Sequence, residues 1–188
     1  VAHFAEMGVH VIEEPTQAQC GQAVIIRSHG ISKAVQEILE HQGANIVDAT
    51  CPFVKRIHNI VADAEQEGRL PIVIGTRTHP EVQGIAGWCS HCEIFETADE
   101  LLQWAKSEES RSDLPICMVC QTTSTESLWK ICCEIAKKQF TNLKIFDTIC
   151  NATEFRQNEA AKLSAVCQAM VVVGDTHSSN TNRLASIC

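Results

Sequence analysis

IVDATCPF, residues 46–53, and IFDTICNA, residues 145–152, decide how this chain is read. Each is a short apolar run closed by an aspartate, with a cysteine three residues further on. Ile46 matches Ile145, Asp48 matches Asp147 and Cys51 matches Cys150, always 99 residues apart. A second pair of segments keeps the spacing: VIGTRTH (73–79) and VVGDTHS (172–178) share Gly75 and Gly174. Two matched strand ends at one offset predict two copies of one structural unit. Chance likeness between apolar strands is the competing explanation.

Outward from these segments the pattern is alternation. AVIIRS (23–28), NIVDAT (45–50), PIVIGT (71–76), EIFET (93–97), PICMVCQ (115–121), LKIFDT (143–148) and AMVVVGD (169–175) read as strands. Between them, 31–42, 52–67, 98–107, 125–139 and 152–166 carry apolar residues three or four apart, which predicts helices. In 125–139, Leu128, Ile131, Cys132 and Ile135 are the expected buried face. Strands this apolar are expected to be covered on both sides, as in parallel sheets with crossover helices. The predicted class is α/β, with pseudo-symmetric units and mainly parallel sheets. Ligands in such sheets bind beyond the carboxyl ends of the strands.

Composition narrows the function. The 188 residues are 45% hydrophobic and 20% charged, enough to bury a core. A formal charge of −8 argues against a nucleic-acid surface. No apolar run approaches the roughly 20 residues of a membrane span, and no secretory leader is visible. Eleven cysteines, an odd number without a regular framework, fit a reducing cytoplasm with some thiols on metal better than a secreted disulfide scaffold. The chain opens on Val1 and closes on ASIC, so an internal piece of a longer protein is expected.

Six strand ends carry chemistry. Cys51 and Cys150 each open a helix, where the dipole favours the thiolate that binds metal or attacks. Each taken alone could be a small buried hydrophobe; the repeated placement favours metal ligation. In GTRTHPE (75–81), Pro80 suits a first helical turn, placing His79 at the cap and Glu81 just inside. A closed cavity would raise the pKa of Glu81 and make it a proton donor; a surface helix start would use it only to complement the dipole. His29 in RSHGIS (27–32) could contact an anion or be a solvated turn residue. In QTTST (121–125), Thr122 and Thr123 end a strand, and a cap by Ser124 or Thr125 explains part of the motif. Ser178, Ser179 and Asn180 in THSSNTNR (176–183) form a set of neutral donors suited to an anion pocket, or an ordinary polar loop.

Two CxxC pairs, Cys89–Cys92 and Cys117–Cys120, offer a structural zinc site as an alternative. Cys117 and Cys120 lie three apart in a strand and point to opposite faces, which counts against it. A third alternative is a thiol enzyme with a Cys51–His nucleophile.

In chain order, SHG, DATCP, THPE, QTT, DTIC and SSNTNR resemble the 4-hydroxy-3-methylbut-2-enyl diphosphate reductase family, iron–sulfur enzymes of the last step of the non-mevalonate isoprenoid pathway. The resemblance implies three similar α/β units around a central cluster. It divides this chain into the end of a first unit (1–50), a complete second unit (51–149) and the start of a third (150–188). It makes Cys51 and Cys150 two of three cysteine ligands of a [4Fe–4S] cluster. It also implies that His29, His79, Ser178, Ser179 and Asn180 contact the substrate diphosphate. Glu81 would supply protons and Thr122 would relay them beside the substrate. The implied reaction is a two-electron reductive dehydroxylation giving isopentenyl and dimethylallyl diphosphate. Reduced ferredoxin or flavodoxin would donate the electrons, in the cytoplasm, without nucleic acid or membrane as partner. The family's first cysteine stands in a Gly-Phe-Cys segment that would precede Val1. This chain alone is therefore expected neither to hold an intact cluster nor to turn over.

Overall fold

The computed structural model describes residues 2–176 and 178–188. A short helix α1 (Ala2–Glu6) and a 3-10 turn (Pro15–Gln17) lead into β1 (Ala23–Ile26), α2 (Lys33–His41), β2 (Asn45–Asp48) and α3 (Pro52–Gln66). The alternation continues through β3 (Leu70–Ile74), α4 (Pro80–Ala86), β4 (Glu93–Phe95), α5 (Ala98–Lys106) and β5 (Ile116–Cys120). It ends with α6 (Glu126–Gln139), β6 (Leu143–Ile145), α7 (Asn151–Ser164) and α8 (Ser179–Ile187). β1 and β2 form one parallel pair, and β4-β3-β5-β6 form a four-stranded parallel sheet. The expected α/β class with parallel sheets is what the chain adopts.

The core sits on the two faces of β3 and β5. Ile72, Ile74, Met118 and Cys120 point to one face, where Leu101 of α5 and Trp129, Cys132 and Ala136 of α6 cover them. Val73 and Val119, in the alternate positions, point to the other and pack against Ile57 and Val61 of α3 and Val82 and Ile85 of α4. Each fully buried Val, Leu or Ile contributes about 1.5–3 kcal/mol, so the four-stranded sheet is the anchor of the fold. Helix starts follow local chemistry: Ser32, Thr97, Thr125 and Ser178 each cap a helix by accepting a backbone N–H three residues on.

Three expectations are corrected. Segment 169–175 is not a strand. Val171 and Val173 are 86% and 91% exposed, and among the described residues no strand pairs with it, so its backbone has no ladder to join. Helix α6 buries Trp129, Cys132 and Ala136, while Ile131 is 50% exposed. The large Trp129 ring outweighs Ile131 and rotates the buried face, leaving Leu128 and Ile135 on its flanks. Coverage on both sides holds for β3 and β5 but not for β1 and β2, where Ile25 is 62% and Val47 53% exposed.

Candidate functional site

Cys51 is the N-cap of α3 and Cys150 the N-cap of α7. The segments that deliver them are built alike. Asp48 Oδ1 accepts from Thr50 N at 3.0 Å and Asp147 Oδ1 from Ile149 N at 3.2 Å, so both turns are folded by the same aspartate. Cys51 N donates to Ser28 O and Cys150 N to Thr122 O, each at 3.0 Å. Both cysteines are free and half-buried. A cleft of about 230 Å³ beside the two helix starts is lined by Phe53, Arg56, Asp147, Thr148, Ile149, Asn151 and Glu154, with neither cysteine in its wall.

The second matched pair repeats in space as well. His79 N donates to Thr76 O at 2.9 Å, and Ser178 N to Asp175 O at 3.0 Å. A Cβ on Gly75 would lie 2.9 Å from Val82, and one on Gly174 would lie 2.2 Å from Thr181. Glycine is needed at both places because α4 and α8 start against the backbone that precedes them. His79 and Ser178 thus cap helices at matching positions, so the local turns recur at the 99-residue spacing, although among the described residues no strand precedes Gly174 as β3 precedes Gly75.

Glu81 lies one position inside α4 and is 2% exposed. Its Oε1 accepts from Thr122 N at 2.6 Å and its Oε2 from Thr122 Oγ1 at 2.8 Å. Burial pushes the carboxyl above its ordinary range, and the two bonds from Thr122 pull against that without cancelling it. The proton-donor reading of Glu81 therefore has the burial it requires, and the exposed helix-start reading does not stand.

His29 and His79 meet edge to face, ring centroids 5.5 Å apart. His79 Nδ1 accepts from Glu81 N at 3.2 Å, which fixes the proton of the neutral ring on Nε2. His29 Nδ1 is buried with no partner among the described residues. Desolvation lowers the pKa of both rings; Arg27 adds to the effect on His29, and His29 to that on His79. The loop carrying His29 can lie on α4 because Gly84 has no side chain: a Cβ there would approach His29 O to 3.3 Å.

Ser179 Oγ lies 2.9 Å from Thr123 Oγ1, and Ser178 Oγ accepts from Thr181 N at 3.3 Å. Asn180 Oδ1 is buried without a partner among the described residues. Gln121 ties three segments together. Its Oε1 accepts from Thr76 N at 3.1 Å, and its Nε2 donates to Thr123 Oγ1 at 2.8 Å and to Ser179 Oγ at 3.4 Å. Sequence reasoning flagged the threonines of QTT and missed this glutamine; a long amide at a strand end among hydroxyls was the available signal. The cap of α6 is Thr125, not Ser124. Contacts thus run Cys51–Ser28, His29–His79–Glu81–Thr122–Cys150 and Gln121–Thr123–Ser179, joining the expected residues other than Ser178 and Asn180.

The two CxxC pairs do not converge. Cys117 and Cys120 are both buried but on opposite faces of β5, Cys120 with Met118 and Trp129. Cys89 and Cys92 pack on the other face with Val73 and Val119. Among the described residues no three His, Cys, Asp or Glu side chains are grouped to hold a metal ion. No helix is long and apolar enough to cross a membrane among those residues.

The profile of the family described as LytB protein matches residues 1–188. A 4-hydroxy-3-methylbut-2-enyl diphosphate reductase from Caldanaerobacter subterraneus subsp. tengcongensis is 41% identical over 194 aligned positions, covering 100% of this chain and 64% of the relative. The solved E-1-hydroxy-2-methyl-but-2-enyl-4-diphosphate reductase from Plasmodium falciparum superposes with a TM-score of 0.90 at 28% identity, over 99% of this chain and 58% of that one. A second solved structure, (E)-4-hydroxy-3-methyl-but-2-enyl diphosphate reductase, the terminal enzyme of the non-mevalonate pathway, gives 0.72 at 32% identity, over 99% and 65%. The chain therefore spans less than two thirds of the relatives it matches.

Proposed function

The chain belongs to the LytB family, and on that premise we propose that it forms the greater part of a 4-hydroxy-3-methylbut-2-enyl diphosphate reductase. The observation that carries this reading is the Glu81–Thr122 clamp: the residue that grips a buried carboxyl of raised pKa also accepts the backbone N–H of Cys150. A proton donor is thereby fixed to the same loop as a candidate metal thiolate.

The donor set fits an iron–sulfur cluster. Cys51 and Cys150 are free thiols at paired helix starts, neither used in capping its helix, and thiolates are the natural ligands of such clusters. These two would hold a [4Fe–4S] cluster together with a cysteine from outside the chain. When bound, the group supplies electrons and Lewis acidity. Reduced ferredoxin or flavodoxin would be the electron source, in the cytoplasm.

The chain's own residues do the rest. The neutral His79 offers Nε2–H to a diphosphate oxygen, and His29 stands beside it. Ser178 and Ser179 add hydroxyls at the start of α8, where backbone N–H groups also favour an anion. A half-turn of the Asn180 amide would present its NH₂ in place of the unpaired oxygen. Glu81, whose protonated form burial favours, donates to the departing hydroxyl, which leaves as water. Thr122 holds the carboxyl in place and relays the proton that completes the product. Two electrons and two protons then balance the loss of water. Residues 1–50, 51–149 and 150–188 belong in this reading to the first, second and third α/β units.

The test is turnover of 4-hydroxy-3-methylbut-2-enyl diphosphate by the full-length gene product, with a reduced viologen as electron source. The reading expects isopentenyl and dimethylallyl diphosphate, with Glu81→Gln losing at least 100-fold in kcat, the usual scale of a general acid. Full activity of Glu81→Gln would contradict the assigned role.

A further inference from the structure

Eleven cysteines are more than the site above uses, and one pair stands apart from the others. Cys89 and Cys92 lie in the turn between α4 and β4, three residues apart and near enough for each to shift the titration of the other. Both are half-buried, whereas Cys117, Cys120 and Cys132 are fully buried. The turn is pinned from α3: Glu65 accepts from Ser90 N at 2.6 Å and also from Ser90 Oγ. The Cys89 thiol is held from below as well, donating to Ala86 O at 3.6 Å. Side-chain contact with Val73, Val119 and their neighbours keeps both sulfurs against one wall of the core. Two thiols three residues apart on one wall of the core, with access to solvent, are placed to bond to each other.

We propose that Cys89 and Cys92 form a dithiol–disulfide exchange site that reacts with a small disulfide such as oxidised glutathione. The Cys89 proton is engaged by Ala86 O, and the nearness of Cys89 lowers the pKa of Cys92, so Cys92 is the attacking sulfur. Its thiolate attacks one sulfur of the oxidant, forming a mixed disulfide and releasing one glutathione. Cys89 then loses its proton and attacks Cys92 Sγ, releasing the second glutathione. The pair gives up two electrons and two protons, and the oxidant becomes two thiols. This site goes beyond the reductase reading and does not depend on it. Its position has reach, however. Trp88, next to Cys89, donates from Nε1 to Ile31 O at 2.9 Å and stacks on His58, at the back of the loop that carries His29.

The tryptic peptide 78–106 contains Cys89 and Cys92 and no other cysteine. The full chain is equilibrated in glutathione mixtures of increasing oxidised fraction, quenched in acid, alkylated and digested for mass spectrometry. The expected result is conversion of this peptide to an unalkylated form two hydrogens lighter. Cys89→Ser should instead accumulate a glutathione adduct on Cys92, and Cys92→Ser should leave Cys89 alkylated. The proposal is overturned if peptide 78–106 stays doubly alkylated while the exposed Cys20 and Cys167 take up glutathione. It is also overturned if the two thiols resist oxidation because they hold zinc.

Discussion

Thr122 holds Glu81 with two bonds, its backbone N–H to Oε1 at 2.6 Å and its hydroxyl to Oε2 at 2.8 Å. Burial nonetheless raises the carboxyl pKa. Carbon-detected NMR should therefore find Glu81 titrating above the other glutamates. Thr122→Val removes one of the bonds that favour the charged form, so the titration should move further up, at a stability cost of about 1–3 kcal/mol. The folded state binds the proton more tightly than the unfolded one. Its contribution to stability is thus complete below the ordinary value of 4.5 and is lost as pH rises through the folded pKa. Glu81→Gln should remove that part of the stability–pH curve.

His58 makes the opposite prediction. It is 3% exposed, stacks on Trp88 with centroids 5.0 Å apart, and its Nε2 has no partner among the described residues. Burial holds its pKa down to about 4, against an ordinary 6.5. The unfolded chain binds this proton first, so stability should fall as pH drops from about 6.5 towards 4, by roughly 3 kcal/mol in all. Urea titrations at several pH values should show the slope in the natural chain, and His58→Phe should flatten it.

Gly30 and Gly68 separate crowding from backbone strain. Both have positive φ, 72° and 71°. A Cβ on Gly30 would lie 2.5 Å from His58 Cε1, while one on Gly68 would meet nothing within 4 Å. Gly68→Ala should cost about 1 kcal/mol, the left-handed backbone penalty. Gly30→Ala should cost about 1–3 kcal/mol more, from overpacking, and should weaken diphosphate binding by displacing His29. Thermal unfolding and a diphosphate titration of the two variants check both parts.

What was legible in the sequence was local. An aspartate, a cysteine and Pro52 announced a strand end opening a helix, and the Asp48 and Asp147 turns form as that pattern requires. Pro80 placed His79 at a cap and Glu81 inside it, and that geometry is found. The burial of Glu81 was not local, because it depends on Thr122, 41 residues away in sequence. Gln121 was missed for the same reason, its partners being Thr76 and Ser179. Apolar periodicity also overreached: AMVVVGD has the composition of a strand, but a strand needs a neighbour, and the described residues supply none.

The central claim is that Cys51 and Cys150, at equivalent helix starts, bind the same cluster. Its most direct test is iron and acid-labile sulfide content, with the visible spectrum, of the full-length gene product purified without oxygen. The account predicts a brown protein with about four irons per chain, bleached by either Cys51→Ser or Cys150→Ser, while Cys89→Ser keeps its colour. Iron and sulfide unchanged in both Cys51→Ser and Cys150→Ser would contradict it.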